Sequence, residues 1–182
     1  MALEFTTSYL KDSLMLLRNY KSMAERAMAQ VSEDELTTSL DEEMNSISIV
    51  VKHMAGNMRS RWTDFLTSDG EKPDRQRDTE FLEAPATREA LMQVWEEGWG
   101  RVFGALEPLS DADLGRTVTI RGEPHSVMQA INRQIGHYAY HIGQIVMLAK
   151  HFRGTDWKSL SIPRNRSADF NQRAQAGQAS QR

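Results

Sequence analysis

The sequence predicts an all-α protein: a four-helix bundle with a small β-hairpin or extended segment between its third and fourth helices. Three observations carry this. Four long stretches repeat apolar residues at steps of three and four, the period of a helix with one buried face. Clusters of Pro, Gly and charge separate those stretches. Only one short stretch, Arg116–Arg121, alternates and is rich in β-branched residues. The 182 residues suit one domain with an adequate core. That domain is expected over 1–170, with a disordered tail over 171–182.

Phe5, Tyr9, Leu10, Ser13, Leu16, Leu17 and Tyr20 set the period of the first helix, about Leu3 to Gln30. Ser32-Glu-Asp-Glu35 has the form of a capping box, so a short turn or helix start follows. The second long helix runs from Leu40 or Asn45 to about Leu66, with Ile47, Val50, Val51, Met54, Met58, Trp62 and Phe65 on a broad apolar face. The charged stretch from Ser68 to Thr79 contains Gly70 and Pro73 and reads as a loop. Its segment from Asp69 to Glu80 is expected to cover the mouth of the bundle or to meet a partner subunit. Thr87 is placed to cap a third helix striped by Leu91, Trp95, Trp99, Val102 and Leu106, which Pro108 stops. Arg121-Gly122-Glu123 is a turn after the alternating stretch. Ser126 with Gln129 opens the fourth helix, and Gly154 closes it. Residues from Ser161 to Phe170 read as irregular.

Composition narrows the function classes. The net charge of −3 gives no basic field for nucleic acid. No apolar run approaches the roughly 18 residues of a membrane span, and the start resembles no signal peptide. The expected location is therefore cytoplasmic. With no cysteine, thiolate zinc sites, Fe–S clusters and cysteine nucleophiles are excluded, and a metal would need nitrogen or oxygen ligands.

Nitrogen ligands are present in a telling pattern. His137 and His141 stand four residues apart, one above the other on a helix face, a spacing that lets both imidazoles reach one ion. Ala130, Arg133, Tyr140, Gln144 and Leu148 fall within about 60° of the same line. A solvated face would not carry Ala130 and Leu148, and a plain core would not carry Arg, two His and Gln. The second long helix shows a similar mixed line through Val50, His53, Gly56, Asn57, Ser60 and Asp64, with Arg61 at its edge. Adding His53 gives a three-histidine site with open positions, the arrangement of catalytic rather than structural metals. Asn57, Arg61, Arg133 and Gln144 are the candidates to bind an anionic or polar substrate or to orient the imidazoles. Asp64 is expected to bond Arg61 or the charged loop. His125 is read as an ordinary surface residue, His151 as a last-turn group whose cation suits the helix dipole, and Trp62, Trp95 and Trp99 as core. A di-iron carboxylate bundle needs inward glutamates and Glu-x-x-His pairs; no such pair occurs, and no carboxylate falls on the inner lines near the histidines.

These residues match a known pattern. Lys52-His-Met-Ala-Gly-Asn57, Asp69-Gly-Glu-Lys-Pro73, Arg77-Asp-Thr-Glu-Phe81, Gly136-His-Tyr-Ala-Tyr-His141-Ile-Gly-Gln144 and Ile162-Pro-Arg164 resemble the DinB-like superfamily of metalloenzymes, within it a bacterial subfamily with no assigned activity. The resemblance covers roughly residues 1–170. It implies a four-helix bundle, one divalent ion on His53, His137 and His141, and a tendency to form a homodimer. It also implies nickel or zinc. By ligand chemistry alone iron and copper are equally acceptable to imidazole. Relatives in the superfamily include transferases and isomerases that use low-molecular-weight thiols, although no residue here identifies such a cofactor.

Two functions follow as expectations. One is a divalent-metal-dependent enzyme that transfers a low-molecular-weight thiol to an electrophile or hydrolyses a small polar substrate. The alternative is a non-catalytic metal- or ligand-binding stress-response protein.

Overall fold

The computed structural model describes residues 8–179. In chain order its elements are α1 (Tyr9–Met28), α2 (Glu33–Thr37), α3 (Ile47–Trp62), α4 (Arg88–Leu106), β1 (Thr117–Ile120), β2 (Glu123–Ser126), α5 (Val127–Arg153) and α6 (Ser167–Gln175). The chain is mostly helical, with one two-stranded antiparallel hairpin. α1 lies along α5 and α3 along α4; α3 also meets α5, and α1 meets α4. Between them sits one apolar core that includes Leu17, Met28, Val51, Met54, Met58, Trp95, Trp99, Val102, Ile131 and Ile145. The three tryptophans expected in the core are there, all buried.

The long helices start where the sequence offers a cap. The side chains of Ser8, Ser46, Thr87 and Ser126 each accept a hydrogen bond from the amide three residues on, each worth about 1 kcal/mol. Ser46 sharpens the start of α3. The same helix ends at Trp62, short of the expected Leu66, because Thr63 is extended and Asp64 turns with φ 48°. Asp64 is exposed and makes no bond to Arg61, contrary to expectation; its carbonyl instead accepts the amides of Thr67 and Ser68 in a turn. Residues Leu3 to Thr7, including Phe5, lie outside the described residues. At the other end, α6 occupies residues expected to be irregular up to Phe170 and disordered beyond it. Its Ala, Gln and Arg lack an apolar period but are good helix formers, and Arg166 pairs with Asp169 across one turn at 2.8 Å.

The charged loop is sewn to the rest of the molecule. At the hairpin turn Arg121 and Gly122 both have positive φ, 54° and 78°, a conformation that arginine adopts reluctantly. The Asp69 carboxylate accepts the amides of both residues at 2.8 Å and of Glu71 at 2.7 Å. The Gly70 amide donates to Thr119 O at 2.7 Å. On the other side, the buried Ser60 hydroxyl of α3 donates to Gly70 O and accepts from Lys72 N. Gly70 lets Arg61 pack closely, since a Cβ there would lie 2.6 Å from Arg61 Nη1 and would push that guanidinium aside. The loop thus bridges hairpin and α3 and turns its next residues, Arg75 to Phe81, back towards α3.

Candidate metal centre

His53 comes from the middle of α3, and His137 and His141 from successive turns of α5. Their ligand-capable atoms all lie within 4.8 Å of one another. Nε2 of His137 and Nε2 of His141 are 3.0 Å apart. Two imidazole nitrogens sharing an ion at about 2.0–2.1 Å stand about 2.9–3.4 Å from each other, so this pair is at metal-bridging distance. The three rings meet edge to face, with centroids 4.6 to 5.5 Å apart.

Two of the rings are oriented from behind. His53 Nδ1 donates to Glu80 Oε2 at 2.9 Å, and His141 Nδ1 donates to Gln144 Oε1 at 2.7 Å. With those protons on Nδ1, each ring keeps Nε2 as a lone-pair donor, the tautomer a ligand needs. The Nε2 lone pair of His141 then accepts a hydrogen bond from Nε2 of His137, and an ion held by the pair would take the place of that proton. Phe81 stacks on the His53 ring at 4.7 Å and fixes its plane.

Electrostatics favour the neutral imidazole at His137 and at His141. Burial, with His141, His53, Arg75 and Arg133 nearby, pushes His137 down to about 3. Burial lowers His141 as well, against the opposing bond to Gln144. For Glu80, burial alone would raise the carboxyl, but the bonds from His53 and Arg75 outweigh it and hold the group below the usual carboxylate range.

Glu80 is the residue that the sequence reading missed. The inner helix lines carry no carboxylate near the histidines, as expected, but the charged loop brings one to His53 across a separation of 27 residues. Gly56, one turn beyond His53, makes the room: a Cβ there would stand 2.3 Å from Glu80 Oε1. The signal available was the glycine on an otherwise well-filled helix face, opposite a loop rich in acids. Arg75 holds the far side of Glu80 with two bonds of 2.9 Å, and Glu71 holds Arg75.

The four expected substrate contacts separate. Asn57, Arg61 and Arg133 line a cavity of about 340 Å³ whose wall also includes His53 and His137. Gln144 lies on the other side of His141, beside Met44 and Tyr140, and its bond is to the imidazole. Tyr140, expected on the inner line, is 64% exposed. The inward positions there belong to Gln134 and Tyr138, both buried. The Tyr138 hydroxyl accepts from the Trp62 indole at 2.8 Å and donates to Asn57 Oδ1 at 3.3 Å, which fixes the Asn57 amide. Burial pushes the Tyr138 phenol well up, so it stays protonated. The cavity wall includes three further arginines, Arg75 with a buried side chain and Arg77 and Arg121 with exposed ones.

Among the described residues, no helix is long and apolar enough to cross a membrane. No curated protein and no solved structure matches the chain. Residues 4–166 match a family whose description carries no activity, and on that match the chain belongs to the family described as Protein of unknown function (DUF1572).

Proposed function

We propose that this chain is a divalent-metal-dependent enzyme on a DinB-like four-helix bundle formed by α1, α3, α4 and α5. It transfers a low-molecular-weight thiol to an electrophile or hydrolyses a small polar substrate. The observation that carries the reading is the convergence of His53, His137 and His141 on the wall of a polar cavity. A purely structural metal site is normally closed by four protein ligands; here the described residues bring three imidazoles together and leave polar space beside them.

His53, His137 and His141 would hold the ion, nickel or zinc, which supplies Lewis acidity to a water or thiol at the open position. Glu80 and Gln144 keep two of the rings in the ligating tautomer. Asn57, Arg61 and Arg133 face the cavity and orient the polar end of the substrate. We read the assembly as a homodimer, supported by the exposed Tyr140 and Met147 on the outer face of α5.

The test is turnover. The purified chain supplied with nickel or zinc is expected to consume a thiol together with an electrophile, or an ester, and His137→Ala is expected to abolish it. Full activity in that variant contradicts the reading. Absence of turnover across both panels, with chelation lowering only the melting temperature, transfers the site to the non-catalytic alternative.

A further inference from the structure

Arg61 is a buried charge without a partner. It is 3% exposed, and its Nε and Nη1 have no hydrogen-bond partner among the described residues. Burial pulls its guanidinium below its ordinary value. A guanidinium in that position is costly unless something neutralises it. The nearby acids do not. Glu80 is committed to His53 and Arg75, and Glu71 to Arg75, with Arg121 at 3.5 Å; Asp69, near enough to feel Arg61, spends its oxygens on the amides of Glu71, Arg121 and Gly122. The cavity that Arg61 faces has four more arginines and no carboxylate in its wall.

A second buried group points the same way. Gln134 is 2% exposed, lines the same cavity, and its Oε1 lacks a donor. Asn57 spends its oxygen on Tyr138, which leaves its amide N–H groups to donate. The wall therefore offers guanidinium and amide donors for an oxyanion, and one buried carbonyl oxygen that needs an O–H or N–H.

We propose that this cavity binds the oxyanion of a small substrate, a phosphate or a carboxylate, with a hydroxyl or other proton donor beside it, and that Arg61 is its buried counter-charge. Arg133, Arg121 and Arg77 close over the same anion from the rim. That the anionic end lies next to the reacting end of the molecule rests on the metal-site reading, through His53 and His137 in the same wall. The anion site itself stands on Arg61 and Gln134.

The test is a thermal melt of the full chain in chloride buffer at fixed ionic strength. Inorganic phosphate is added in one arm and succinate in another, each with and without chelator. A site-bound anion at about a hundredfold excess over its dissociation constant is expected to raise the melting temperature by about 5 °C or more, and the shift is expected to persist with chelator. A shift with phosphate alone assigns a phosphate ester, and one with succinate alone a carboxylate; either supports the proposal. Arg61→Met is expected to melt at or above the wild type without anion and to gain nothing from it. Arg133→Gln, at an exposed position, is expected to keep the starting stability and weaken the response. Equal shifts in the wild type and both variants mean general exclusion of the anion from protein surface and overturn the proposal. So does no shift in either arm, or a shift that chelator removes and Arg61→Met retains. Failure here leaves the turnover test standing, and failure of turnover leaves the melts standing.

Discussion

Glu80→Ala is expected to lower folding stability by about 3 kcal/mol and to weaken metal binding about ten- to hundredfold. The two effects have different origins on one carboxylate. Arg75, whose side chain is 3% exposed, gives Glu80 two hydrogen bonds of 2.9 Å. Removing the acceptor strands most of a buried guanidinium, and breaking such pairs typically costs about 3–5 kcal/mol. Glu71 still holds Arg75 Nη1 at 3.1 Å, which puts the loss at the lower end. For a chain of this size it corresponds to a fall of about 6–12 °C in melting temperature. The second effect passes through His53. Without an acceptor for its Nδ1 proton, the ring is free to turn and to change tautomer. Glu80→Gln separates the two, because an amide oxygen still accepts from His53 while the charge opposite Arg75 is gone. Thermal melts and zinc titrations check both. A melting temperature within about 2 °C of wild type, a loss of about 1 kcal/mol or less at this size, together with unchanged affinity, would show that Glu80 supports neither.

Acid is expected to empty the site and destabilise the fold in the same pH window. An unfolded chain protonates its histidines near 6.5, whereas folded His137 is pushed down to about 3. Between those values the unfolded state binds more protons, so stability is full above about 6.5 and is lost as pH falls towards 3. The lowered His141 adds to the same slope. Glu80 contributes further below, since its folded value is also depressed and its pairing is lost on protonation. Metal binding follows the same sign, because protons compete for the ligand nitrogens. Melting temperature measured from pH 8 to 4, with and without chelator, is expected to be flat above neutrality and to fall steadily below about 6.5. A melting temperature that rises on acidification contradicts neutral, buried imidazoles.

Much of this was legible in the residues, for reasons that are local. Thr87 and Ser126, the apolar period, and the turn at Arg121-Gly122 each act within a few positions, and α4, α5 and the hairpin start and turn where they stand; Ser8 and Ser46, which cap α1 and α3, sit inside helical patterns that the apolar period carries further upstream. His137 and His141 share a face by helix geometry alone. His53 was found because a polar line on an apolar helix is a local anomaly too. Glu80 and Arg75 were not legible. They reach the histidines only because Asp69 clasps the hairpin turn and Gly56 lacks a side chain, and no periodicity records a contact made by a loop. Gln144 shows the opposite limit: it lies on the predicted face, and only its bond to His141 reveals which way it looks. In the tail, no apolar period announced α6, because what marks it is good helix formers and the Arg166–Asp169 pair across its first turn, neither of which is an amphipathic signal.

The most direct measurement is elemental analysis of the tag-free protein, followed by calorimetric titration of the chelated chain with nickel and with zinc. Three converging imidazoles predict one divalent ion per chain, saturable binding, and near-complete loss in His53→Ala as well as in His137→Ala. A wild-type chain that carries no metal and binds neither ion, or a His53→Ala chain that binds as the wild type does, contradicts a three-histidine metal centre.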